Sequence, residues 1–167
     1  AEPMSVKTKG PWSAEQINQF LQDSVFPMRL ACVGEDGFPR VVSVWFQYVE
    51  GTFYCVSHRA SQLVAMLRDN DKVGFEVAPN LPPYCGVRGQ GIATLSNEGA
   101  GDALEGLLQR YLGGTESRLG NWLLSRRDEE LLISVTPRSV QSALRRFRNS
   151  AWSLPFSASS SGTSARR

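Results

Sequence analysis

The sequence has little histidine and little cysteine. His58 is the only histidine among 167 residues, and the three cysteines, Cys32, Cys55 and Cys85, are widely spaced. No Cys-x-x-Cys pair and no Cys/His spacing typical of a zinc site occurs, and no G-x-S-x-G motif accompanies the histidine. These absences argue against a metal site and against a serine hydrolase, and they leave the cysteines as structural thiols.

Long apolar runs are also missing. No stretch approaches the roughly 18 consecutive apolar residues that a membrane-spanning helix needs. The first ten residues, AEPMSVKTKG, lack the apolar segment of a signal peptide. We therefore expect a cytoplasmic protein without membrane association. Apolar residues nevertheless make up 41% of the chain, which is enough for one globular domain with a single core.

Acidic residues are absent from the C-terminal end. Residues 1–137 contain 12 Lys/Arg and 16 Asp/Glu, whereas residues 138–167 contain six Arg and no acid. A mildly acidic body thus carries a basic end, and the polar sequence of residues 151–167 predicts a flexible tail. The tail arginines could contact a polyanion. We favour a solvated tail over nucleic-acid binding, because the body shows no basic stripe.

The spacing of apolar residues predicts an α+β fold. A capping box at Ser13 and Gln16 and apolar residues at helical spacing predict a helix from Ala14 to Gln22. Residues 28–56 contain three β-rich runs separated by turn signals, which predicts an antiparallel meander. Further strands are expected in KVGFEVAP, GVRGQGIATLS and LLISVTP, and further helices in SQLVAMLRDN and in two segments between residues 104 and 123.

Together these elements predict a six-stranded antiparallel β-barrel, closed or nearly closed, with flanking helices. One helix follows the third strand, and two precede the last strand. Closure of the barrel would remove exposed sheet edges. The segment SVQSALRRF, which follows Pro137, either extends the sixth strand or forms another.

A cluster of hydrogen-bond donors lies between the third strand and the second helix, at Ser57, His58, Arg59 and Ser61. If the helix begins near Ser61, the free amides of its first turn and its dipole favour an anion there. The serine hydroxyls and the planar guanidinium of Arg59 suit phosphate oxygens. In the alternative interpretation, Ser61 only caps the helix, and His58 and Arg59 are solvated.

A serine interrupts the apolar strand VVSVWFQYV, residues 41–49. Alternation along a strand places Val41, Ser43 and Trp45 on one face, and the residues between them on the other. A buried serine beside aromatic residues needs a hydrogen-bond partner. That partner is either a group on a neighbouring strand or a flat polar heterocycle lying against this strand.

The order of these elements resembles the pyridoxamine 5'-phosphate oxidase-like superfamily of flavin-binding split barrels. After the first helix, the resemblance is carried by PMRLACVGEDGFPRVVSVWF, FYCVSHRASQLVAML, KVGFEV and PPYCGVRGQGIATL, and it covers residues 12 to about 138. It implies a six-stranded split β-barrel, a homodimer, and FMN in a groove at the dimer interface. Residues 1–11 would then be an N-terminal extension, 12–150 an FMN-binding split-barrel domain, and 151–167 a flexible basic tail.

The resemblance also implies which residues contact the cofactor. The strand expected along the isoalloxazine ring, partly through backbone groups, provides Val41, Val42, Ser43 and Val44. The turn expected to bind the phosphate provides Ser57, His58, Arg59, Ser61 and Gln62. The strand expected to approach the flavin from the partner chain provides Arg88 and Gln90. No catalytic residue is assigned, because a flavin carries the redox chemistry itself.

Two positions depart from the family pattern. Many members have a lysine where this sequence has Leu63, and a basic residue is common where it has Gln62. Each lost charge-assisted hydrogen bond is typically worth about 1.5–3 kcal/mol. FMN could therefore bind weakly, or a deazaflavin or haem could occupy the groove. The segment RSVQSALRRFRNSAW does not match the substrate-binding segment of the true oxidases, so we do not predict vitamin B6 oxidation.

The leading functional hypothesis is a flavin-dependent oxidoreductase that acts on an unidentified small molecule, with the barrel orienting the flavin. The alternative is a cofactor-free protein that binds a small molecule in the same groove, and the missing basic residues at 62 and 63 favour it. A homodimer is also expected from the residues, because the apolar content of VVSVWF and GIATL exceeds what a lone small barrel covers.

Overall fold

The computed structural model describes residues 6–144, and within this range the chain forms eight strands and four α-helices. The strands are β1 (Lys7–Lys9), β2 (Met28–Val33), β3 (Pro39–Val44), β4 (Gln47–Val49), β5 (Thr52–His58), β6 (Lys72–Val77), β7 (Cys85–Ser96) and β8 (Glu130–Leu144). The helices are α1 (Ala14–Asp23), α2 (Gln62–Asp69), α3 (Ala100–Leu112) and α4 (Arg118–Ser125), and a 3-10 turn covers Arg127–Glu129. The predicted flexible tail lies outside the described residues.

All strands join one sheet in the order β3-β2-β6-β7-β8-β5-β4, and β1 pairs with β8. Every pair is antiparallel except β1 with β8. The two end strands, β3 and β4, do not pair with each other, although they follow one another in the chain. The sheet is therefore curled and open along one seam, which confirms the predicted α+β split barrel.

The strand number differs from the predicted six for two reasons. The short strand β1 adds to β8, and the expected single strand at residues 41–49 is divided into β3 and β4. The segment after Pro137 extends the last strand, so β8 is 15 residues long.

The corner between β3 and β4 is fixed by helix α3. The hydroxyl of Tyr111 accepts a hydrogen bond from the Phe46 amide at 3.2 Å and donates to the Phe26 carbonyl at 3.0 Å. The Trp45 ring stacks on the Tyr111 ring, with centroids 5.0 Å apart. Because Phe46 is completely buried, the chain turns inward at this point and cannot continue as a flat strand.

The core lies inside the curled sheet and is covered by α1 and α2. Helix α1 carries both hydrogen bonds of the predicted capping box and buries Ile17 and Leu21. At its other end, the guanidinium of Arg110 donates to the carbonyls of Leu21 and Gln22, each at 2.8 Å. This cation satisfies carbonyls that a helix C-terminus leaves unpaired and complements its dipole.

Two of the three cysteines belong to the core. Cys32 and Cys55 are buried, and burial raises their pKa to about 11 and about 12, respectively. Thiols held in the neutral form are poor nucleophiles. Within residues 6–144, no helix combines the length and apolar character that crossing a lipid bilayer requires.

Candidate functional site

A groove of about 650 Å³ crosses the outer face of the sheet from β3 to β1. Side chains alternate across the sheet, so the outward residues of neighbouring strands form rows. The first row contains Val41, Ala31, Gly74, Gln90, Ser139 and Lys7. The second row contains Ser43, Arg29, Glu76, Arg88, Gln141 and Lys9. We call this region the sheet groove.

Small residues form the floor of the sheet groove. A Cβ atom added to Gly74 would contact only the Ala31 Cβ at 3.6 Å and the Gly89 carbonyl at 3.7 Å, which are ordinary contact distances. A larger side chain at Gly74 would therefore project into open space above the sheet. Gly89 differs, because its Cβ would lie 2.0 Å from the Ser139 carbonyl oxygen. The floor leaves room for a flat ligand to approach the backbone closely.

The walls of the sheet groove are positively charged. Among the residues that the structure describes, four cations line the groove, Lys7, Lys9, Arg29 and Arg88, against one carboxylate, that of Glu76, so this lining has a net charge of +3. The expectation that the body has no basic stripe is therefore wrong. These cations come from three strands, β1, β2 and β7, that are far apart in sequence, and only the strand pairing brings them onto one face.

Ser43 lies at the edge of the sheet groove, on the exposed side of β3. Its Oγ accepts a hydrogen bond from Arg29 Nη1 at 3.0 Å. The expectation that this serine is buried is wrong, because β3 is an end strand and no described element covers its outer face. The cross-strand hydrogen bond, one of the two alternatives for Ser43, is present.

The turn between β5 and α2 holds its polar groups in internal hydrogen bonds. Ser61 caps α2, since its Oγ accepts a hydrogen bond from the Val64 amide at 3.1 Å, and the Ser57 and Ser61 hydroxyls are 2.9 Å apart. The Arg59 guanidinium donates to the Asp128 carbonyl. The turn therefore has suitable anion donors, but its serine hydroxyls are engaged within the turn, and Arg59 is engaged with the segment that precedes β8.

His58 bridges this turn to the start of β8. Its Nδ1 accepts a hydrogen bond from the Ala60 amide at 3.0 Å, so Nε2 carries the proton and donates to Glu129 Oε2 at 2.8 Å. The hydrogen bond from His58 lowers the pKa of Glu129, and the nearby charges of Arg126 and Arg59 add to the effect. The adjacent Glu130 is buried, and burial raises its pKa.

The structure distributes the predicted cofactor residues over three places. The sheet groove receives Val41, Arg88 and Gln90, with Ser43 at its edge. The β5–α2 turn contains Ser57, His58, Arg59 and Ser61, none of which lines the sheet groove. Gln62 instead lines a separate depression of about 360 Å³ beside Glu35, Asp36 and Asp69.

The remaining predicted residues, Val42 and Val44, pack against the core. Their side chains therefore point away from the sheet groove, and a ligand at β3 could meet only their backbone groups. An end strand leaves half of its N–H and C=O groups unpaired, so such contacts are available. The proposed contacts of this strand and of the turn with a cofactor stay predictions.

Sequence reasoning missed four charged residues of the groove, namely Lys7, Lys9, Arg29 and Glu76. A weak signal exists in the alternation of KTK and of MRLACV, which places polar residues on one face of each strand. Alternation does not reveal the neighbouring strand, however, so the shared face could not be recognised.

A sequence model of the pyridoxamine 5'-phosphate oxidase family matches residues 13–142. The chain belongs to this family. In this member of the pyridoxamine 5'-phosphate oxidase family, Leu63 is a buried core residue of α2, which accounts for an apolar side chain at a position that the family pattern makes basic. Among the described residues there is no group of three or more His, Cys, Asp or Glu that could hold a metal ion.

Solved structures of low sequence identity share the fold of this pyridoxamine 5'-phosphate oxidase family member. A conserved hypothetical protein from Mycobacterium tuberculosis has 21% identity and a TM-score of 0.71, with 81% of this chain and 87% of that chain covered. An F420 reductase has 20% identity and a TM-score of 0.63, covering 73% and 94%. The heme storage protein HutZ from Vibrio cholerae has 13% identity and a TM-score of 0.57, covering 74% and 89%. Among curated proteins, none matches the chain.

Proposed function

We propose that this protein is an oxidoreductase that binds FMN in the sheet groove of a homodimer. The observation that carries the proposal is the groove itself, with a floor of small residues, cations along its walls and a volume within the usual range of ligand pockets. Family membership supports it, because the resemblance implies FMN in a groove at a dimer interface.

In the proposed arrangement, the flat ring lies over Ala31 and Gly74 and runs along the unpaired edge of β3. Arg88 and Gln90 contact one side of it. When bound, FMN supplies the hydride or electron transfer chemistry. The chain orients the FMN ring, and it excludes water from the ring face that lies against the sheet.

The phosphate would be bound by the β5–α2 turn of the partner subunit. For this, Arg59 must exchange the Asp128 carbonyl for phosphate oxygens, while the Ser57 hydroxyl and the first amides of α2 add donors. Charge-assisted bonds to phosphate are stronger than a bond to a neutral carbonyl, which favours the exchange.

The first test is a fluorescence titration of the full-length protein with FMN and with riboflavin. We expect both to bind, and FMN to bind more tightly because only it carries the phosphate. Gly74→Trp fills the floor and should abolish binding of both ligands, whereas Gly74→Ala adds one methyl group at ordinary contact distance and should retain it. Arg59→Ala should weaken FMN and leave riboflavin unchanged.

Two results would contradict this proposal. One is a wild-type protein that shows no response to FMN, and the other is a Gly74→Trp variant that binds FMN as well as Gly74→Ala does. The names of the fold relatives motivate parallel titrations with a deazaflavin and with haem. If the protein binds the deazaflavin or haem selectively, that compound and not FMN is the cofactor of the sheet groove.

A further inference from the structure

We propose that the β1 end of the sheet groove binds the anionic part of a small organic substrate that carries at least two negative charges. Lys7 and Lys9 of β1 and Arg88 of β7 form this subsite, which we call the anion subsite. The inference rests on the proposed function in placing the flavin beside the subsite and the FMN phosphate at the β5–α2 turn.

Positive charge is concentrated in the sheet groove. The sheet groove takes four of the 12 Lys/Arg of residues 1–137 and one of their 16 Asp/Glu, so the remainder of that segment has eight bases against 15 acids. A positive groove in an otherwise acidic body focuses the field on anions and raises their local concentration.

The cations of the anion subsite differ from other surface cations in their partners. Arg40 and Arg127, which lie elsewhere on the surface, have carboxylate partners at 2.7 and 3.4 Å, respectively. By contrast, no described residue forms an ion pair or hydrogen bond with the side chains of Lys7, Lys9 or Arg88. Like charges that share a groove repel one another, and an anionic ligand relieves this repulsion.

The strand pairing places the three cations of the anion subsite around one space. Lys7 and Lys9 are two residues apart on one strand and therefore share a face. Arg88 lies two strands away from Lys9, which is about 10 Å between strand axes and within reach of their long side chains. Three cations around one space need more than a single negative charge for balance. Because the FMN phosphate is assigned to the β5–α2 turn, this charge belongs to a second ligand.

The position of β1 is fixed by the residues that follow it. Gly10 has a φ of 101°, and a Cβ there would lie 2.1 Å from the Ser142 carbonyl oxygen. The Ser142 hydroxyl, on a residue that is 2% exposed, accepts a hydrogen bond from the Trp12 amide at 3.0 Å and donates to the Lys9 carbonyl at 3.5 Å. These contacts hold the two lysines over the groove.

The test is isothermal titration calorimetry of the full-length protein with inorganic tripolyphosphate at low ionic strength, with acetate as the singly charged comparison. We expect tripolyphosphate to bind and acetate to give no signal. The double variant Lys7→Ala/Lys9→Ala should bind about a hundredfold more weakly or worse, since it loses two charge-assisted bonds that are each worth more than about 1.4 kcal/mol. Arg68→Ala/Arg118→Ala removes two exposed charges outside the groove and should bind as the wild type does.

Two further variants separate position from charge. Gly10→Ala keeps both lysines but displaces β1, so it should weaken tripolyphosphate binding as the double lysine variant does. Glu76→Gln removes the one acidic side chain that the described part of the chain contributes to the groove. It should tighten binding by about threefold, as expected for one partly screened charge. The lysine and glutamate changes affect exposed side chains, and unchanged thermal midpoints would show that these variants fold.

The outcomes keep this inference apart from the proposed function. A protein that binds FMN but not tripolyphosphate overturns the anion subsite and leaves the flavin proposal standing. Tripolyphosphate binding with the expected variant pattern but no response to FMN overturns the flavin proposal and supports the subsite. If the lysine and arginine double variants bind tripolyphosphate with equal affinity, the anion subsite is overturned. If saturation with FMN abolishes tripolyphosphate binding, the assignment of the subsite to a separate substrate is overturned.

Discussion

Glu129 and Glu130 are neighbours in sequence but have opposite electrostatic environments. Glu129 is exposed and accepts a hydrogen bond from His58, which lowers its pKa and favours its charged form. Glu130 points the other way and is buried against the barrel, so burial raises its pKa and disfavours its charged form. A buried carboxylate that must be ionised at neutral pH reduces the stability of the folded state.

We expect Glu130→Gln to stabilise the protein near neutral pH, because the amide keeps the shape and removes the desolvated charge. Since the folded pKa lies above the unfolded one, the wild type loses stability as pH rises from the unfolded value through the folded value. The difference between variant and wild type should therefore vanish below the unfolded value of about 4.3. Thermal unfolding across this pH range measures it, and a Glu130→Gln protein less stable than wild type at neutral pH would refute the expectation.

At the scale of elements, the corner between β3 and β4 depends on one residue of α3. The Tyr111 hydroxyl contacts the backbone of Phe46 and Phe26, so it ties the divided strand to the entry of β2. This contact sets where β3 ends, and β3 carries the edge along which the flavin is proposed to lie. The corner thus links packing in α3 to the geometry of the sheet groove.

Tyr111→Phe should destabilise the fold by about 1–2 kcal/mol, because it leaves the buried Phe46 amide without its acceptor while the ring stacking on Trp45 is kept. Urea denaturation gives the free energy of unfolding, and hydrogen exchange at Phe46 reports the local effect. Tyr54→Phe is the matched control on β5, since no hydrogen bond of its hydroxyl is present among the described residues. If the two variants lose the same free energy of unfolding, the Tyr111 hydroxyl does not determine the corner.

At the scale of the whole molecule, the exposed apolar side chains near the groove favour a partner. Phe38 and Val41 are 69% and 67% exposed, and both lie at or just before β3. Exposed apolar residues beside a large groove are typical of interaction surfaces. A two-fold dimer would cover them and bring the turn of one subunit to the groove of the other.

Light scattering after size exclusion should therefore give twice the mass of one chain. Val41→Asp places a charge on the proposed interface and should produce monomers that also bind FMN poorly. Val49→Asp makes the same change on β4, where Val49 is 49% exposed at the opposite end of the sheet, and should remain dimeric. A wild-type monomer, or a Val41→Asp dimer, would contradict this prediction.

Local patterns predicted the elements well, and long-range contacts explain what they missed. The Ser13–Gln16 capping box lies within four residues and could be read directly. The division of the strand at Trp45 depends on Tyr111, which is 65 residues from Phe46 in the chain. The pairing of β1 with β8 joins residues about 130 positions apart. Strand alternation indicated which side chains share a face of one strand, but only the fold shows which strands are neighbours, so four of the five charged residues that line the groove were missed.

The length of β8 limits how a ligand can be held. His58 pairs with Glu130 at the start of this strand, and Arg88 pairs with Gln141 near its end. The 11 residue steps from Glu130 to Gln141 correspond to a contour of about 35 Å, beyond the reach of a flavin mononucleotide. If both places serve one cofactor, each chain supplies half of two composite sites. A mixed pair with one chain defective only at Arg59 and the other only at Arg88 would then retain one intact site.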